Sequence, residues 1–167
     1  MKKLCLFTVF LLLVYVASAQ TKFSVPVPTS EQKYNVTQML YYNTILGLIT
    51  AAKNDGMSAA ELGKKSGAVF VPVWDENGGF EPFVNFLLNS WACSADSVQI
   101  IEQSNEKLVV MVSSMYKPLE NQGVLFGSSV EDYTAFINAM LNEIAVHYGH
   151  SYEMTKGEEG YRIVITL

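Results

Sequence analysis

Glu143, His147 and His150 form the pattern E-x-x-x-H-x-x-H. On a helix the first two lie one turn apart on one face. Two imidazoles and a carboxylate can hold zinc with an open coordination position. A histidine near a helix C-terminus is, however, favoured by the macrodipole alone. His150 also lies beyond Gly149, where the helical pattern ends. The expectation is a surface pair, with no metal and no other cofactor. Cys93 is the second candidate. A thiol with His147 or His150 as its base is the minimum for hydrolase-like thiol catalysis. The surrounding residues, Asn89 to Asp96, match no catalytic cysteine signature. A cysteine that follows an apolar stripe is expected to be a small buried hydrophobe, slow to react. Asp75-x-Asn77-x-Gly79 opens like a calcium loop, but Phe80 and Phe86 stand where the loop needs its glycine and its final glutamate. That stretch reads as a turn.

The aromatic residues give a different kind of signal. Trp74, Trp91, Tyr116 and Phe126 sit in or beside stretches without clear helical or strand periodicity, as does Phe70. Trp74, Trp91, Tyr116 and Phe126 are the expected lining of a ligand pocket between structural layers. The 114–127 segment reads as a long loop that can close over such a pocket, because an ordinary solvated loop has no need of Tyr116, Leu119 and Phe126. The alternative is that these rings plug the core beneath long loops.

Composition narrows the compartment and the partners. Lys2 and Lys3 precede an apolar run from Leu4 to Val16, and Ala17-Ser18-Ala19 supplies the small residues of a cleavage site. Residues 1–19 therefore read as a signal peptide, with secretion or a periplasmic location expected. The run is short for a membrane span, at about 1.5 Å per residue against roughly 30 Å of hydrocarbon. The full chain carries a net charge of −5, and residues 1–19 hold two of its basic residues and none of its acidic ones. An acidic chain without a lysine or arginine cluster is a poor match for a phosphate backbone, so no nucleic-acid partner is expected. Cys93 is the one cysteine beyond residue 19, which excludes an intramolecular disulfide in the processed chain.

Four helices and two hairpins must position these residues. Residues 20–28 read as an extended arm, because Val25-Pro26-Val27-Pro28 disfavours helix. A single α+β domain is expected over 29–167. Thr29 with Gln32 starts a helix that runs to Asn54. Ser58 with Glu61 starts a second, with Gly67 as its stop. Residues 69–74 then read as an edge strand or link because of Pro72. A third helix begins near Pro82 and carries Phe83, Phe86, Leu87 and Trp91. Alternation at Val98, Ile100, Leu108, Val110 and Val112 gives a hairpin around Ser104-Asn105-Glu106. A fourth helix, boxed by Ser128 and Glu131, turns Ile137, Leu141 and Ile144 to the core. Tyr152 and Met154 face Tyr161, Ile163 and Ile165 in a second hairpin. The predicted architecture is N-terminal helices followed by a ββ-α-ββ unit, with a four-stranded antiparallel sheet packed on helices. The expected function is a non-enzymatic exported module for a small apolar or amphipathic molecule or a partner protein. The alternative is the hydrolase-like enzyme using Cys93.

Overall fold

The computed structural model of the protein describes residues 27–167. The expected signal peptide, residues 1–19, and most of the expected extended arm, residues 20–28, lie outside these residues. The chain divides into two compact units between Asn35 and Val36. The described part of the first unit holds exposed residues 27–29 and the first turns of helix α1 (Ser30–Asn54). Thr29 and Gln32 form the expected reciprocal cap, with bonds of 2.9 and 3.1 Å.

The second unit is α+β. After α1 come α2 (Ala59–Glu76), α3 (Phe80–Ser94), β1 (Ser97–Gln103), β2 (Lys107–Ser113), α4 (Lys117–Gln122), α5 (Val130–His147), β3 (Ser151–Lys156) and β4 (Tyr161–Thr166). The strands make one antiparallel sheet in the order β1-β2-β4-β3. Leu108, Val110 and Val112 pair with Ile165, Ile163 and Tyr161 and bury one face of the sheet against the helices. Val109, on the other face, is 1% exposed, so the second strand is covered on both sides at its centre. Ile137, Leu141 and Ile144 all face the core as their spacing predicts. Among the described residues no helix is long and apolar enough to cross a membrane.

Helix α5 also covers one edge of the sheet. The side-chain oxygens of Asn142 and Asn138, one turn apart, accept from the backbone N–H groups of Tyr152 and Met154 at 3.0 and 2.9 Å. An edge strand with satisfied donors is a poor template for another chain. The opposite edge, β1, is exposed along most of its length.

Three local expectations need correction. Helix α2 does not stop at Gly67 but continues through Pro72 to Glu76, so residues 69–74 are not a strand. Gly63 and Gly67 are packing positions rather than stops. A Cβ at Gly63 would collide with the Phe136 carbonyl, and one at Gly67 would lie 2.7 Å from the Glu143 Cβ. Pro72 is exposed and deprives only the carbonyl of Ala68, itself exposed, of a helical donor. Helix α5 is boxed one residue later than predicted. Ser129 is its N-cap, and its N–H donates to Asp132 at 3.1 Å. Ser128 is instead fully buried, its hydroxyl 2.8 Å from that of Thr50 on α1. Finally, the 114–127 segment is not a free loop. It contains α4, and Met115, Tyr116 and Leu119 are buried in the core.

Candidate functional site

The helical layer holds an apolar cleft of about 490 Å³. Tyr41, Ile45 and Leu48 of α1 form one wall, and Ser66, Phe70 and Trp74 of α2 form the other. Both sets repeat at three to four residues, so each wall is one stripe of a helix. Phe83 and Phe86 of α3 close one end, and Phe136, Met140, Leu141 and Ile144 of α5 form the floor. The continuation of α2 past Gly67 is what brings Phe70 and Trp74 into line. The close approach of α2 to α5, permitted by Gly63 and Gly67, sets the height of that wall above the floor.

Aromatic rings dominate the lining. The Trp74 indole packs edge-on to Phe83 at 5.3 Å between centroids and tilted against Phe86 at 5.2 Å. Such arrangements contribute beyond simple burial and hold rings in defined orientations. Leu48, Phe70 and Phe86 are each about half exposed, so they form the rim. No lining residue is charged. Neither lysine of α2 lines the cleft; Lys64 lies 3.9 Å from Glu143 on α5.

Of the four aromatic residues expected to line a pocket, Trp74 alone is there. Trp91 is 5% exposed in the core, on the buried face of α3. Tyr116 belongs to a buried tyrosine cluster, edge-on to Tyr133 at 5.2 Å and to Tyr161 at 5.0 Å. Phe126 sits at the tip of a two-residue turn closed by Leu125 and Ser128. Both turn residues, Phe126 and Gly127, have positive φ, which suits the tight hairpin geometry and sends the Phe126 ring to solvent. Phe70, grouped with those rings by the sequence, does line the cleft, four residues from Trp74 on α2, and Phe86, which the sequence places only on the apolar stripe of α3, lines it as well.

The titratable residues are distributed differently from the expectation. His147 Nε2 lies 3.3 Å from Asp75 Oδ1, and the Tyr148 hydroxyl donates to the same oxygen at 2.8 Å. Burial and the Asp75 carboxylate push the Tyr148 phenol up to about 12. His150 stacks on Phe80 with centroids 4.0 Å apart. Glu143 faces Lys64 rather than either histidine, and among the described residues no group of histidine, cysteine and acidic side chains has metal-site geometry.

Cys93 lies near the far end of α3 from Phe80, thirteen residues away, which places it roughly 20 Å from the His150 stack at 1.5 Å per residue. The structure therefore does not assemble a Cys93 dyad with His150. His147 is at the same end as His150, bound to Asp75. The buried position expected for Cys93 is also corrected. It is exposed, because the apolar stripe of α3 runs through Phe83, Val84, Leu87 and Trp91 and leaves residue 93 on the opposite face. Thiol labelling of native protein is expected to proceed within about tenfold of the rate in denaturant, since reactivity follows exposure and thiolate content. Slower native labelling by more than about a hundredfold would mean the side chain is shielded.

No protein-family model matches the chain, and no curated protein is significantly similar to it.

Proposed function

We propose that the protein is an exported, non-enzymatic module that binds a small, largely apolar molecule in the cleft between α1, α2, α3 and α5. One observation carries this reading: a cleft of about 490 Å³ lined by twelve residues, none of them charged. That volume falls within the range typical of small-molecule sites. Exposed apolar surface of this kind costs solubility unless it has a use. The wall offers no carboxylate, imidazole or thiol to take part in a reaction, which favours binding over catalysis. The exported location is supported by Lys2-Lys3, the apolar run and Ala17-Ser18-Ala19. Intact mass of the mature protein should correspond to a chain starting at or near Gln20; a retained leader would remove that part of the reading.

The binding test uses N-phenyl-1-naphthylamine, a neutral apolar fluorophore, with tryptophan emission as donor. Trp74 lines the cleft, so the probe should quench it saturably while its own emission rises. Phe70→Ala, at the half-exposed rim, should weaken the probe by about tenfold, equivalent to ~1.4 kcal/mol. Phe126→Ala should leave affinity unchanged, because that ring lies on a turn outside the cleft. Absence of saturable binding, or equal sensitivity to both substitutions, would sink the proposal.

A further inference from the structure

The cleft has a chemical preference beyond being apolar. Its lining contains few polar side-chain atoms: the Ser66 hydroxyl, the Trp74 indole N–H and the Tyr41 hydroxyl. The Tyr41 hydroxyl neighbours the Tyr133 phenol, which is pushed up by burial first and by Tyr41 and Tyr42 after it. Ser66 is different. A serine inside a helix commonly turns its hydroxyl back to the carbonyl four residues earlier, as Thr44 does to Leu40 at 2.7 Å and Ser94 does to Ser90 at 2.7 Å. Among the described residues Ser66 makes no such bond. It stands part-exposed between Gly63 and Phe70 on the α2 wall, surrounded by hydrocarbon.

A hydroxyl in such a wall can donate and accept. A carbonyl or hydroxyl oxygen on a bound molecule would complete it. An ionised group would not be accommodated. Transfer of a charge into apolar surroundings is costly without a counter-charge. Neither Lys64, which lies 3.9 Å from Glu143, nor Lys65 lines the cleft to supply one. The abundance of rings, with Trp74, Phe83 and Phe86 in mutual edge and tilted contact, favours a flat aromatic body over a flexible chain.

We propose that Ser66 is the hydrogen-bonding anchor of the cleft, and that the ligand is an uncharged, mainly aromatic molecule carrying a hydroxyl or carbonyl oxygen. This rests on the binding reading above.

Three probes of one shape separate the two ideas: naphthalene, 2-naphthol and 2-naphthoate, measured by equilibrium dialysis against the processed protein and Ser66→Ala. Alanine is a better helix former than serine, so the variant should keep its fold. Ser66→Ala is expected to weaken 2-naphthol by about 3- to 10-fold, the size of one neutral hydrogen bond, and to leave naphthalene within about twofold. At neutral pH 2-naphthoate should bind the unsubstituted protein at least about tenfold more weakly than 2-naphthol. An equal effect of Ser66→Ala on naphthalene and 2-naphthol, or none on 2-naphthol, overturns the anchor. Equal binding of 2-naphthoate and 2-naphthol overturns the uncharged class. Neither of these results touches the binding reading itself. That reading fails instead if naphthalene, 2-naphthol and the fluorophore all fail to bind.

Discussion

Raising the pH from about 10 to about 12 is expected to unfold the protein in one cooperative step, well before its buried tyrosines ionise in place. Tyr116, Tyr133 and Tyr152 are 6%, 2% and 3% exposed. Burial pushes each of their phenols far above the usual value, with neighbouring tyrosines adding to the effect at Tyr116 and Tyr133. In the unfolded chain a phenol ionises near 10. Below that pH both states hold the same protons, and the stabilisation is fully present. Above it the unfolded state loses protons that the folded state retains, so stability falls as pH rises. Each such group contributes about 1.4 kcal/mol per pH unit, and three together up to ~4 kcal/mol per unit. Against a typical total of about 5–15 kcal/mol, that slope exhausts stability within a few units. Circular dichroism and phenolate absorbance should change together over a narrow range. Tyr133→Phe should move the midpoint upward by removing one linked proton. Independent titration of these tyrosines near 10 with the fold intact would show that the cluster is open to water.

Gly63→Ala is expected to lower stability by about 3 kcal/mol, at the upper end of the usual overpacking range. The added methyl would overlap the Phe136 carbonyl, a backbone atom that cannot swing aside, and Ala139 Cβ stands 3.1 Å away. Helix propensity works in the opposite direction by up to about 1 kcal/mol. The loss therefore reports steric conflict between α2 and α5. Gly47→Ala serves as a control of opposite sign. Gly47 lies inside α1 with nothing within 4 Å of the new carbon, so this change should stabilise by about 0.5–1 kcal/mol. Urea unfolding measures both. If Gly63→Ala matched Gly47→Ala, the glycine would have no packing role.

The same glycine explains part of what could be read from the sequence and what could not. Both hairpins, the caps at Thr29 and Ser58 and the buried stripe of α5 follow from local signals, and all stand in the structure. Gly67 followed by Pro72 carries the local signature of a helix stop and an extended link. Whether a glycine ends a helix or admits a neighbouring one depends on Phe136, Met140 and Glu143, some seventy residues away, and no local pattern contains that information. A helix stopped at Gly67 leaves Phe70 and Trp74 without a shared face, so nothing in the local pattern distinguishes them as pocket residues from Tyr116 and Phe126. Those two rings occupy opposite environments, one in the core and one at a turn tip. Apolar content alone cannot separate them, because the difference lies in backbone direction. Cys93 shows the same limit on a smaller scale: two residues past Trp91 are enough to exchange core for solvent.

The strand order has a consequence for the sequence of events during folding. Each hairpin is local and can form early, but a two-stranded hairpin alone is marginal in water. The sheet is joined only where Leu108, Val110 and Val112 of β2 meet Ile165, Ile163 and Tyr161 of β4, with α4, α5 and β3 lying between them in the chain. That seam demands closure of a long loop before its contacts return any energy, which makes it the slow step of assembly. Until it closes, the apolar sides of β2 and β4 are open to water and to other chains. Helix α5, by bonding the donors of β3 through Asn138 and Asn142, protects one flank in the finished sheet. The interval before the seam forms is therefore the period in which this chain is most exposed to misassociation.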